Sequence, residues 1–199
     1  MRLDPPKRPA TNPYPDDWTQ LTEFEYLSPL SLIRPVNNLV DRLGADGDYV
    51  LQHDFDCALH VDGELHVLTA PRGLVTDLTS VPPVFRLVVG RVGPWLEAAI
   101  LHDYLYVAWA FLDRRGPRPN DRLFADRVML LAMEAAGVRR WRRRIIYLAL
   151  RWFGARSYGR ADPETSFADL DAEELDPALI VPDAPGQSGT LSMPDPPSG

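Results

Sequence analysis

The chain has 199 residues, 45% of them hydrophobic, and a formal net charge of −7. That length accommodates one domain with a real core, and the single cysteine, Cys57, excludes an intrachain disulfide and fits a reducing compartment. The charge is uneven: residues 161–199 hold nine acids and no base, so residues 1–160 balance 21 bases against 19 acids and the acidity belongs to a tail.

Residues 1–22 open on Met1-Arg2-Leu3-Asp4-Pro5-Pro6, which lacks the apolar run of a signal peptide. Their proline and polar content predicts a flexible arm. A single globular domain is expected over 23–160. An acidic, proline-rich disordered tail follows over 161–199. The first half of the domain reads as β structure. Tyr49–Leu51 leads into Phe55–Val61, then Asp62-Gly63, then Glu64–Leu68. Asp-Gly between alternating runs predicts a hairpin, because both turn positions need positive φ. Leu74 to Pro83 should be extended or looped, since Val81 precedes proline and is pushed away from helix. Leu87 to Leu112 is the most apolar stretch, but Arg91, Glu97, His102 and Asp103 interrupt it, which argues against a membrane span.

The second half reads as α. Gly93-Pro94 opens a helix that reaches about Leu112. Asn120 caps a second helix over about 121–136, stopped by Gly137. A third runs from about Arg139 to Phe153, stopped by Gly154. The fold class is therefore α+β: an N-terminal β-hairpin segment followed by a three-helix core. The short loop makes the first two helices antiparallel neighbours.

On the second helix, Phe124, Ala125, Val128, Leu131, Ala132 and Ala135 form an apolar stripe with Asp121 in its middle. Asp126 lies about 140° away beside Arg122, which predicts a solvated surface acid. The first helix is apolar almost all round, and His102 and Asp103 are exceptions. Tyr106 stacks one turn beyond His102 and can offer its hydroxyl to a carboxylate. His102, Asp103, Tyr106 and Asp121 are thus expected to converge between the two helices. His60 and His66 flank the hairpin turn without a third ligand, and read as strand histidines rather than a metal site. Arg139, Arg140, Arg142, Arg143 and Arg144 form a basic cluster at the start of the third helix. Its candidate partners are a phospholipid or membrane surface, nucleic acid and the acidic tail; the lipid surface leads, and nucleic acid is not otherwise indicated.

The ordered motifs Thr76-Asp77-Leu78, His102-Asp103-x-x-Tyr106 and Asp121-x-x-Phe124 resemble those of an uncharacterised family of phage and prophage proteins catalogued as a domain of unknown function. They also resemble bacterial secreted phospholipase A2. The second likeness implies a phospholipase A2-like core in which His102 is the general base that activates water. Asp121 would then hold its imidazole and Tyr106 would support Asp121. Asp77, Asp103 and the Leu78 carbonyl would bind Ca²⁺. The single cysteine and the missing export signal depart from the secreted lipases. The leading expectation is a phage-derived, Ca²⁺-dependent acyl-ester hydrolase of the bacterial cytoplasm or the phage particle. The alternatives are a non-enzymatic structural or assembly component that contacts other phage structural proteins, with a buried His–Asp network, and a hydrolase directed at the cell wall.

Overall fold

The computed structural model describes residues 11–33, 49–76, 93–112, 116–160, 166, 167 and 170. Within them lie six strands: β1 (Leu21–Tyr26), β2 (Leu32–Ile33), β3 (Tyr49–Leu51), β4 (Phe55–Val61), β5 (Glu64–Ala70) and β6 (Val75–Thr76). Three α-helices follow: α1 (Leu96–Val107), α2 (Pro119–Ala135) and α3 (Arg140–Tyr158). A 3₁₀ turn, Ala108–Phe111, continues α1. The strands make two antiparallel sheets, ordered β1-β4-β5 and β2-β3-β6. The mixed α+β class holds.

The hairpin forms where Asp62-Gly63 placed it. Asp62 has φ 51 and Gly63 φ 88, the left-handed pair that lets two residues reverse twisted strands. Its strands pair from Phe55↔Ala70 to Val61↔Glu64. The Asp62 carboxylate also accepts hydrogen bonds from the Thr19 hydroxyl (2.6 Å) and the Gln20 amide (2.8 Å), fixing the chain that enters β1. Those bonds hold its carboxyl below the ordinary value. His60 opposes Leu65 and His66 opposes Leu59, so the two histidines lie on opposite sheet faces and cannot share a metal.

The flexible arm expected over 1–22 is corrected from residue 11 onward. Tyr14 is 2% exposed; its hydroxyl donates to the Leu105 carbonyl and accepts from the Trp109 amide at 3.2 Å. The Tyr14 and Trp18 rings meet Phe124 edge-on, with centroids 6.4 and 5.9 Å away. Two aromatic anchors outweigh the prolines around them. The disordered tail expected from 161 is corrected in the same way at its beginning. Phe167 bridges to Leu74 and packs against Phe111 at 4.8 Å. Leu170 and Val50 form a small second cluster.

One apolar core joins the β4–β5 hairpin to the helices, with Phe55, Leu59, Leu101, Leu105, Phe124 and Val128 essentially inaccessible. Tyr26 fastens β1 to α2 through its hydroxyl, 3.0 Å from the Ala132 carbonyl. Helix α1 starts later than Pro94, because the Leu96 amide closes a turn on the Gly93 carbonyl. Helix α2 starts earlier than expected. Pro119 occupies its first turn and the extended Arg118 caps it, so Asn120 is not the cap. Gly137 ends α2, as expected. Gly154 does not end α3.

Candidate functional site

Helix α1 is buried on most of its circumference, so its few polar side chains must find partners inside the protein. His102 is 5% and Tyr106 7% exposed. One turn apart, their rings lie with centroids 3.9 Å apart. Both reach the same carboxylate, and it is that of Asp126. His102 Nε2 stands 3.1 Å from Asp126 Oδ1, and the Tyr106 hydroxyl donates to the same oxygen at 2.7 Å. The other oxygen, Oδ2, accepts from Arg151 Nη1 of α3 at 2.9 Å. Arg122, one turn back on α2, adds a longer contact of 3.9 Å to Oδ2.

Asp126 is therefore no surface acid; it is fully buried where the three helices meet. The expectation failed because it gave α2 a single apolar face. Helix α3 covers a second one, so Asp126, Met129 and Met133 are buried along with Phe124, Ala125 and Val128. Met129 and Met133, three and seven residues beyond Asp126, were the available signal. Asp121 is also inward, at 2% exposure. It sits in the first turn of α2, near enough to Tyr14 for its charge to help push that phenol's pKa up, although burial contributes most to that rise. The hydrogen bonds of the His102 ring and the Tyr106 hydroxyl go to Asp126 instead.

Burial alone would raise the Asp126 carboxyl. Hydrogen bonding to and charge on His102, with bonds from Tyr106 and Arg151, outweigh it and hold the carboxyl below its ordinary value. The Tyr106 phenol is pushed up, first by burial and then by the charge of Asp126, which accepts its hydrogen bond. The network thus keeps Asp126 ionised and Tyr106 protonated. A histidine whose ring nitrogen is fixed by such a carboxylate has a set orientation, and its tautomer follows from that bond.

Gly154 contributes through its missing side chain. It lies inside α3 over the Tyr106 ring, and a Cβ there would collide with the Tyr106 hydroxyl. The glycine that marked the end of the predicted helix instead allows α3 to approach α1. Tyr158 then closes on Tyr106 edge-on at 5.2 Å. Sequence reasoning missed Arg151, Gly154 and Tyr158 as neighbours of the site.

Asp103, beside His102 on α1, is half-buried and accepts from the Thr76 hydroxyl at 2.6 Å. This ties α1 to the last residue of β6. Asp77 and Leu78, the other two predicted Ca²⁺ ligands, lie outside the described residues. Among the described residues no group of three or more His, Cys, Asp or Glu side chains converges as a metal cage. Of the predicted site residues, the structure brings His102 and Tyr106 together, leaves Asp121 apart from their hydrogen bonds and substitutes Asp126 for it.

These features define a mixed α+β protein with a buried His–Asp–Tyr–Arg network at a three-helix junction. The family model for a protein of unknown function, DUF1353, matches residues 49–150, and the chain belongs to that family. The matched span contains His102, Asp103, Tyr106 and Asp126 and stops one residue before Arg151. No curated protein and no solved structure matches the chain.

Proposed function

We propose that this protein is a Ca²⁺-dependent hydrolase of phospholipid acyl esters, with a phospholipase A2-like pair of helices and a phage origin. His102 is the general base that takes a proton from water, and Asp126 is the carboxylate that orients it. The observation that carries this reading is the bond between His102 Nε2 and the fully buried Asp126. A base held by a carboxylate, itself held by a tyrosine and an arginine, is the arrangement that water activation needs. With Asp126 in the role first given to Asp121, the motif becomes Asp126-x-x-Met129, an apolar residue standing where the pattern has phenylalanine.

The calcium part of the proposal rests on donor chemistry. Asp77, Asp103 and the Leu78 carbonyl are hard oxygen donors of the kind Ca²⁺ takes. Asp103 neighbours the base on α1, and its bond to Thr76 brings the residue preceding Asp77 to it. When bound, the ion would polarise the ester carbonyl and stabilise the developing oxyanion. The residues described here hold the base, keep it oriented and exclude water from its carboxylate.

The test is fatty-acid release from phospholipid vesicles with millimolar calcium or with chelator. Wild type should release fatty acid only with calcium, and His102→Asn should lose the activity. A second reading, a non-enzymatic phage component, draws on the burial of both His102 and Asp126, which suits a structural network equally well. It predicts no release from any lipid class and a lowered melting temperature for His102→Asn, with calcium leaving wild-type melting unchanged.

A further inference from the structure

Helix α3 carries a second feature that the His–Asp network does not use. It has no acidic residue between Arg140 and Tyr158, and six arginines. Two are consumed inside the protein: Arg143 is buried and pairs with Glu134 at 2.8 Å, and Arg151 holds Asp126. Of the five arginines of the expected basic cluster, Arg143 therefore faces inward and is withdrawn from the surface. At about 100° per residue, Trp141, Leu148 and Trp152 fall within about 40° of one another. They are 48%, 44% and 71% exposed. The opposite side of the helix holds buried Ile146 and Gly154. Arg140 and Arg144 flank the apolar stripe on one side and Arg156 on the other, all three exposed. Among the described residues none of the three is paired with a carboxylate. Arg142 stacks over the Trp141 ring at 5.2 Å.

We infer that this outward face of α3 docks on an anionic lipid surface, with Trp141, Leu148 and Trp152 entering the headgroup region and Arg140, Arg144 and Arg156 meeting lipid phosphates. Tryptophan and arginine are suited to that boundary, each offering an apolar body and a polar tip. A helix lying in the interface combines such an apolar stripe with flanking cations. Charge complementarity selects the occupant, since the three exposed arginines that flank the stripe, on a helix without an acid, favour a negatively charged surface. The inference deepens the lipid-hydrolase reading and rests on it only for its biological sense. Docking is a property of α3 and proceeds without turnover. It would bring lipid to the helix whose Arg151, next to Trp152, holds the site carboxylate.

The full chain, in chelator so that no hydrolysis occurs, is to be sedimented with phosphatidylglycerol vesicles and with phosphatidylcholine vesicles. Binding to the former should be strong at low salt, weak at high salt, and accompanied by a blue shift of tryptophan emission. The double substitution Arg140→Glu and Arg144→Glu should lower partitioning about tenfold or more. Trp152→Ser should weaken binding and remove most of the blue shift, with unchanged far-ultraviolet circular dichroism. Equal partitioning of wild type and both variants would overturn the inference. So would a wild type that ignores vesicles yet forms a soluble dimer abolished by Trp152→Ser, which would make the face a contact between copies. Hydrolysis of a monodisperse short-chain ester, measured separately, keeps the two proposals distinguishable. Vesicle binding without ester hydrolysis overturns the catalytic reading alone, and hydrolysis without vesicle binding overturns this one alone.

Discussion

At the scale of single residues the molecule turns on Asp126. A fully buried carboxylate costs several kcal/mol unless it is paired, and here two oxygens share four partners from all three helices. Asp126→Asn keeps the shape but leaves the arginines without their counter-charge, and should lower stability by about 3 kcal/mol in urea titrations. The catalytic proposal adds that Asp126→Asn lowers kcat about a hundredfold, and that Asp121→Asn costs far less. The pH dependence has a definite sign. Asp126 titrates below its ordinary value of 3.8 in the folded protein. Its stabilisation is therefore complete above that value and is lost as pH falls through the lower folded value. Stability of Asp126→Asn should consequently decline less steeply than that of wild type below pH about 4, as read from urea midpoints across an acid series.

At the scale of elements, the packing of α3 on α1 is set by one absent methyl group. Gly154→Ala would drive a Cβ into the Tyr106 hydroxyl, and overpacking of that kind costs about 2 kcal/mol. Tyr106→Phe removes the struck atom, so adding it to Gly154→Ala should recover part of the loss. A double-mutant cycle with a coupling of about 1 kcal/mol would register the contact, and additive losses would contradict it. The same glycine shows what was legible in the sequence. Asp62-Gly63 specified its hairpin because positive φ is a local demand that the residues themselves meet. The existence and order of the three helices followed from proline and glycine punctuation, with an apolar stripe supporting the second. His102 and Tyr106 were legible because α1 is nearly all apolar and polar exceptions stand out. Asp126 was not legible, because which face of α2 is covered depends on α3, packed from another part of the chain. Gly154 misled for the same reason, since a glycine that ends a helix and one that admits a neighbour look alike until the neighbour is placed. Strand β1 left a signal in the alternation of Glu23, Phe24, Glu25 and Tyr26, blurred by a bulge at Glu23, where φ is 53.

At the scale of the whole molecule, both ends of the described chain are built into the core. Tyr14 lies against the end of α1, where its hydroxyl serves the Leu105 carbonyl and the Trp109 amide. Tyr14→Phe should therefore cost about 2 kcal/mol, because it takes the hydroxyl donor from the Leu105 carbonyl, a buried bond, and an acceptor from the half-buried Trp109 amide, while preserving the ring contact with Phe124. At the other end, Phe167 is 2% exposed between Leu74 and Phe111, and Leu170 covers Val50 of β3. These two residues close the β2-β3-β6 sheet, whose strands are only two or three residues long and too short to be stable without cover. A buried phenylalanine contributes about 3 kcal/mol or more. A chain ending at Leu170 should thus be more stable than one ending at Arg160 by at least that amount, as measured by thermal or urea unfolding. The consequence reaches the site through β6, whose Thr76 holds Asp103. If the shorter chain also binds calcium more weakly, the loss of cover at residues 167 and 170 will have been transmitted along that strand. Equal stability of the two chains would show that the closing contacts add nothing and that the sheet is held by α1 alone.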